Sequence, residues 1–269
     1  MSISNHGVNY KCYDIDALDY RISGVITDVS ENERMFGLDK DHDKYLLVGR
    51  SVMNDIISGI NAARSLMLTM GITEYCTRIL DFPCGHGRVL RFLKAKFPNA
   101  EITAGDIIHE AVDYCVETFG TSPLYSQKNL SELSVGEQYD FIWCGSLVTH
   151  LSEESTIELL DFFVRHLVRG GLLIFTTCGR SAISYLKRGI MDYRAGKPEE
   201  VIEEYKSTGY YYKYKPENPG NGGIAFYSPL RMFQIIEKFP KLKIVSYSEG
   251  GWGNHQDVIT CMKGNWLYA

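Results

Sequence analysis

The stretch Arg78-Ile-Leu-Asp-Phe-Pro-Cys-Gly-His-Gly-Arg-Val-Leu90 decides the fold. Ile79 and Leu80 read as a short buried strand, Asp81 stands at its carboxyl end, and Gly85 and Gly87 form a tight turn. Val89, Leu90, Phe92, Leu93 and Phe97 then share one side of a helix. Strand, glycine turn and helix in that order bring backbone N–H groups and a helix N-terminus beside a ligand. Glycine is needed where the backbone approaches that ligand or takes a positive φ.

The details select the ligand. A dinucleotide fingerprint reads G-x-G-x-x-G, but the position three after Gly87 is Leu90. Asp81 would repel a pyrophosphate and suits a ligand carrying an ammonium group. A strand ending in Asp followed by x-x-C-G-x-G resembles motif I of class I S-adenosylmethionine-dependent methyltransferases. The resemblance implies S-adenosylmethionine as cofactor, S-adenosylhomocysteine as product, and Asp81, Pro83, Cys84, Gly85 and Gly87 as cofactor-binding residues.

Composition narrows the class. The 269 residues suffice for one large α/β domain with an appendage, and 45% hydrophobic with 23% charged content is that of a soluble globular protein. A net charge of −5 with no Lys/Arg run argues against a nucleic-acid partner. The first residues show no secretory signal, and no apolar run reaches the ~18 residues needed to span a membrane. The seven cysteines are scattered without a C-x-x-C pair, a cytosolic pattern that predicts free thiols and no metal site.

Working outward, residues 1–44 are polar and tyrosine-dotted and read as a peripheral arm. Val52, Ile56, Ile60, Ala63, Leu66 and Met70 predict a helix over 51–70, stopped by Gly71. In the resembled family such a helix covers the cofactor pocket, which would bring Tyr45 and Arg50 near the ligand's amino-acid end. An ordinary packing helix is the alternative. Downstream, Glu101–Asp106 reads as the second strand, with Asp106 about 20 residues past the glycine turn, where an acid accepts ribose hydroxyls. Ile107 and Ile108 offer an apolar surface to the adenine. Gly120 closes a helix carrying Ala111, Val112, Cys115, Val116 and Phe119. Pro123–Tyr125 is a weak third strand. Where the family reads the adenine amino group, Asn129 and Leu130 stand, with a plain loop as the alternative.

Tyr139–Cys144 is the fourth, central strand, resembling motif IV, and Cys144 and Gly145 meet the cofactor there. Ser152 with Glu153 and Glu154 starts a helix that Gly170-Gly171 ends, and Leu172–Thr177 is the fifth strand. Strands alternating with helices predict an α/β, doubly wound parallel sheet with helices on both faces. The segment at about 178–227 breaks that alternation. With Tyr210-Tyr-Tyr-Lys-Tyr214 among prolines and glycines, it reads as a lid or substrate wall inserted in the domain at 45–269. Its tyrosines stack on sugars or flat substrates, or pack the insertion onto the domain. Ser228-Pro-Leu starts a helix. Lys241–Ser248 and Asp257–Met262 are closing strands joined by a long polar and aromatic connection. The resemblance implies a seven-stranded order 3-2-1-4-5-7-6 with strand 7 antiparallel.

Methyl transfer from a sulfonium is an in-line displacement that needs the acceptor held and aligned. A hydroxyl acceptor also gains from a base, and the candidates are His150 and His255. His150 also suits capping or packing, His255 suits substrate contact, and His86 suits a structural or cofactor-facing place. Cys-Gly-Ser-Leu stands where an Asn/Asp-Pro-Pro-Tyr/Phe motif would mark methylation of an amino nitrogen. The expectation is therefore a small-molecule or glycan hydroxyl. The block Asp-Phe-Pro-Cys-Gly-His-Gly with Trp252-Gly-Asn-His-Gln-Asp257 is similar to methyltransferases associated with polysaccharide synthesis. A homodimer, a non-catalytic S-adenosylmethionine-binding module or partner subunit, and a nicotinamide-dependent oxidoreductase stay open as alternatives.

Overall fold

The computed structural model describes residues 24–36, 41–73, 75–133, 135–216 and 222–266. The first 23 residues of the expected arm, Cys12, and Pro219 and Gly220 of the expected insertion lie outside them.

Five strands run in parallel: β1 (Arg78–Asp81), β2 (Glu101–Asp106), β3 (Ser122–Tyr125), β4 (Tyr139–Cys144) and β5 (Leu167–Cys178). Two more, β8 (Leu242–Trp252) and β9 (Gln256–Lys263), complete the sheet in the order β3-β2-β1-β4-β5-β9-β8. β9 is antiparallel to both β5 and β8. This is the expected order, with β8 and β9 as the sixth and seventh strands. Strand order reverses between β1 and β4, so the loops after both strands open into one crevice.

Side-chain alternation assigns each sheet residue to a layer. Ile79, Phe141, Trp143, Leu172 and Ile174 face α1 (His42–Thr69), α2 (Leu90–Lys96) and α3 (His109–Phe119). Leu80, Ile142, Leu173 and Phe175 face α4 (Glu153–His166) and α7 (Pro229–Ile236). The caps read from sequence are in place: the Ser152 and Ser228 hydroxyls accept from the backbone N–H groups of Ser155 and Arg231, and Gly120 closes α3 at φ 65°.

Several boundaries differ from the sequence reading. α1 begins at His42, since the Asp41 side chain accepts from Lys44 N–H and starts the helix earlier. Tyr45 and Arg50 thus lie inside it. α4 ends at His166, and Gly170-Gly171 belongs to the start of β5. The long connection expected after residue 248 is a three-residue turn, because Gly253 (φ 62°) and Asn254 (φ 60°) both adopt left-handed backbone.

Between β5 and α7 the chain forms α5 (Arg180–Lys187), α6 (Pro198–Thr208) and the hairpin β6 (Tyr210–Tyr214) with β7 (Gly223–Tyr227). A third cluster, including Cys178, Ala182, Leu186, Val201 and Phe226, packs this segment. Two hydroxyls of the tyrosine run serve packing: Tyr211 donates to Ala195 O at 2.8 Å, and Tyr210 accepts from Glu153 N–H at 3.0 Å.

The described part of the arm is held down by a buried cation. Arg91, 1% exposed, donates to Ile26 O, Asp28 O and Gly87 O at 2.9 Å each and to His86 O at 3.4 Å. It thereby ties residues 26–28 to the glycine turn. Arg91→Met keeps the apolar stem and strands these carbonyls, so it should lower stability by about 2–4 kcal/mol. Urea denaturation measures this, and a wild-type midpoint would show that the clamp contributes nothing.

Candidate functional site

The crevice is a cleft of about 280 Å³ at the carboxyl ends of the parallel strands. Asp81 and Asp106 line it together with Pro83, Cys84 and Gly85. Both oxygens of Asp106 hold backbone groups: Oδ2 accepts from Gly85 N–H and Oδ1 from Ile108 N–H, both at 2.9 Å. These bonds fix the glycine turn against the end of β2. Burial pushes the Asp106 carboxyl up, and the backbone N–H groups oppose that shift.

Asp81 is the opposite case. It is 1% exposed, and neither carboxylate oxygen has a hydrogen-bond partner among the described residues. Burial raises its carboxyl well above the ordinary range, and the charge of Asp106 raises it further. A buried carboxylate without a partner costs several kcal/mol unless a ligand supplies the counter-charge.

The two glycines of the turn have different duties. Gly85 takes φ 48°, and a Cβ built there meets nothing within 4 Å, so its open side stays clear where it lines the cleft. Gly87 takes φ 77°, and a Cβ there would lie 2.4 Å from the Phe119 ring. Gly87 is thus a helix-packing glycine and does not line the cleft.

Both candidate bases line the cleft, as does Gly145. The Nδ1 of His150 lies 2.8 Å from Gly223 O, and that of His255 lies 3.0 Å from Gly253 O. A carbonyl only accepts, so each Nδ1 carries the proton and the neutral ring keeps Nε2 as an acceptor. Desolvation by the surrounding side chains pushes both imidazoles below the ordinary histidine value, at His150 despite its partly exposed ring; Lys215 adds to this at His150 and Arg88 at His255. His150 remains exposed at the mouth, whereas His255 lies between Tyr185 and Tyr193, with ring centroids at 6.3 and 6.0 Å.

The other sequence candidates lie off the cleft. Tyr45 is buried and donates to Glu33 Oε2 at 2.8 Å, so it acts through a residue that does line it. Arg50 is half-buried on α1. Ile107 is half-buried after β2, and Cys144 is fully buried at the end of β4. Asn129 Oδ1 accepts from Ser131 N–H and Oγ within its own loop, and Leu130 packs on the core beside α4. His86, 5% exposed, joins Glu110 at 3.3 Å and does not line the cleft.

Sequence reasoning missed other walls. Glu33 and Met35 come from the segment read as peripheral, because the Arg91 clamp that brings them in is a long-range contact. Ser146, at φ 62°, joins Thr176 and Gln256: Ser146 N–H donates to Thr176 Oγ1 at 2.8 Å, Thr176 Oγ1 to Gln256 Oε1 at 2.6 Å, and Gln256 Nε2 to Ser146 Oγ at 2.7 Å. Gln256 follows His255 in the quoted motif, which was the available signal. Met191, Tyr193 and Ile224 line the cleft from the 178–227 segment. Among the described residues no group of three or more His, Cys, Asp or Glu could hold a metal ion, and no helix is long and apolar enough to cross a membrane.

Comparison with known proteins agrees with this geometry. Residues 79–171 match the family model described as a methyltransferase domain. Among curated relatives, malonyl-[acyl-carrier protein] O-methyltransferase of Bacillus cytotoxicus is 24% identical over 169 residues, covering 62% of this chain and 55% of the relative. The Acetivibrio thermocellus enzyme of that name is 25% identical over 167 residues, covering 61% and 54%. The chain thus spans about half the length of these relatives. Among solved structures, magnesium protoporphyrin IX methyltransferase from Synechocystis with bound S-adenosylmethionine aligns at TM-score 0.51 and 12% identity, over 86% of this chain and 89% of that one. An O-methyltransferase family protein from Burkholderia thailandensis aligns at TM-score 0.54 and 10% identity, over 82% and 58%. With the strand order and the glycine turn in agreement, residues 79–171 form a methyltransferase domain and the sheet has the Rossmann-like fold of class I methyltransferases.

Proposed function

We propose that the chain is an S-adenosylmethionine-dependent methyltransferase acting on an oxygen atom of a small-molecule or glycan acceptor, held between the cofactor floor and the 178–227 segment. The observation that carries the cofactor half is the unpartnered Asp81 carboxylate in a cleft beside an open glycine. S-adenosylmethionine fits that floor chemically, and it supplies an electrophilic methyl group on a sulfonium. Asp81 takes its cationic amino-acid end. Gly85 leaves room for close approach. Asp106 holds the turn and keeps lone pairs for ribose hydroxyls.

For the acceptor half, His150 is the base. Its Nδ1–H is fixed on Gly223 O, its Nε2 is left to take a proton, and its exposure at the mouth lets that proton pass to water. His255, set between two tyrosines, orients the acceptor. Tyr193 and Met191 limit water at that wall. The relatives' designation as O-methyltransferases favours oxygen over nitrogen.

Calorimetric titration with S-adenosylhomocysteine, S-adenosylmethionine and NAD tests the cofactor half. Micromolar binding of the first two alone is expected, and tight binding of NAD alone would sink it. Asp106→Ala should lose about 1.5–3 kcal/mol of this binding.

Asp81→Asn should also weaken binding, yet it should stabilise the ligand-free protein by about 1–3 kcal/mol at neutral pH. The sign follows from linkage. A carboxyl raised in the folded state keeps its proton longer than in the unfolded chain, so stability falls as pH rises from the unfolded carboxylate range through the raised value. Asp81→Asn should flatten that fall in denaturation midpoints from pH 4 upward, and lower stability of the variant across the range would mean the carboxylate has a partner.

For catalysis, His150→Ala should leave S-adenosylhomocysteine affinity unchanged and cut turnover by about 10²-fold or more. Because burial lowers the imidazole, the acid limb of the wild-type rate should lie below the ordinary histidine value of about 6.5. Wild-type turnover in His150→Ala, with any accepted hydroxyl compound, would remove His150 from the mechanism. A chain that binds cofactor and methylates nothing would instead be a binding module.

A further inference from the structure

We infer that Tyr193 is a specificity-determining residue for the methyl acceptor, its phenol donating to an acceptor oxygen other than the one methylated. The assignment rests on the methyl-transfer reading above. Tyr193 lines the cleft, and its hydroxyl is buried with no hydrogen-bond partner among the described residues. Burial raises the phenol above the ordinary tyrosine value, and Cys178 and Tyr185 add to this, so it stays neutral and keeps a proton to donate. A buried donor from which nothing accepts costs stability, and a ligand oxygen removes that cost.

The ring is held in place. Phe226 packs edge-on against it at 5.2 Å and 85°, and the His255 ring lies 6.0 Å away. The backbone takes φ 53° and is pinned on both sides: Lys215 Nζ donates to Tyr193 O at 2.8 Å, and Arg194 N–H to Asp192 Oδ1 at 3.0 Å. Tyr193 also packs on the cluster that contains Cys178, the last residue of β5, and Cys178 lines the cleft as well.

Two separations set this donor apart from the groups already given roles. β4 lies between β1 and β5, so Cys178 stands two strand spacings, about 10 Å, from Asp81 at the end of β1. The Tyr193 phenol is therefore on the acceptor's side of the cleft. Along β7, His150 is anchored at Gly223 O and Tyr193 at the Phe226 ring, three residues or about 10 Å apart. His150 serves the reacting hydroxyl, so Tyr193 meets a different oxygen. Gln256 lines the cleft beside it, paired with Cys178 across β5 and β9. Its Nε2 gives one N–H to Ser146 Oγ and carries a second. Donors on this wall select an acceptor with at least two oxygens, one to be methylated and one held through its lone pairs. A polyhydroxylated or hydroxycarbonyl compound meets that requirement.

The full chain is compared with Tyr193→Phe and with a control, Tyr205→Phe. The Tyr205 hydroxyl is also buried without a partner among the described residues, but Tyr205 does not line the cleft. Without ligand, both variants should unfold in urea at or above the wild-type midpoint, since each loses a hydroxyl that bonds to nothing. A lower midpoint for Tyr193→Phe would show that the protein already satisfies the phenol, and it overturns the assignment. S-adenosylhomocysteine affinity, measured by calorimetry, should match the wild type in both variants. Rates of methyl transfer from S-adenosylmethionine are then measured with methyl α-D-glucopyranoside, glycerol and 3-hydroxybutanoate as acceptor probes. On any probe the wild type methylates, Tyr193→Phe should lose at least about tenfold in kcat/KM, chiefly through KM, while Tyr205→Phe loses none. Equal losses in the two variants, or no loss in Tyr193→Phe, overturn the assignment and leave the methyl-transfer reading standing. A wild type that binds S-adenosylhomocysteine yet methylates none of the probes overturns the acceptor reading with it. Failure to bind S-adenosylhomocysteine overturns the cofactor reading as well.

Discussion

The site depends on a division of labour between two carboxylates at the ends of adjacent parallel strands. Asp106 is spent on the fold, since its two oxygens hold Gly85 N–H and Ile108 N–H and thereby set the path of the glycine turn. The oxygens of Asp81, by contrast, have no hydrogen-bond partner among the described residues. Parallel pairing of Asp81 with Ala104 sets Asp106 two residues beyond it along β2, so neither acid can move away from the other. The floor of the cleft is therefore a place where the fold leaves electrostatic cost uncompensated, which a cationic ligand would offset.

Much of this floor was legible because it rests on local pattern. The alternation of Phe141, Ile142, Trp143 and Cys144 marks a strand buried on both faces, and the two cores divide those residues as the period of two requires. Asp81, Gly85 and Asp106 follow from strand ends and a turn, all near in sequence. The opposite wall of the cleft followed no such pattern. Tyr210–Tyr214 drew attention by composition, yet two of its hydroxyls close the hairpin and its neighbours, while the cleft is lined by Tyr193 from a less conspicuous loop. Glu33 and Met35 were illegible for a different reason. Their position depends on Arg91 reaching across 63 and 65 residues to two backbone carbonyls, and no local period encodes that.

Capping by Asp41 carries α1 back to His42, which puts Tyr45 on the buried side against Glu33 and leaves Arg50 off the cleft.

The 178–227 wall of the cleft is also physically separable from its floor. Residues between β5 and α7 pack on a cluster of their own that includes Cys178, Ile224 and Phe226. Met191 and Tyr193 reach the cleft from the loop between α5 and α6, and Tyr193 and Arg194 hold left-handed backbone there (φ 53° and 51°). The Tyr193 hydroxyl is buried without a partner among the described residues, and burial raises it above the ordinary tyrosine value. Two adjacent non-glycine residues in that conformation, one with an unsatisfied phenol, are costly features that persist only where their surroundings enforce them. Such cost sits outside the two sheet cores. The loop can therefore change its side chains while Asp81, Gly85 and Asp106 stay fixed by the sheet and its turn.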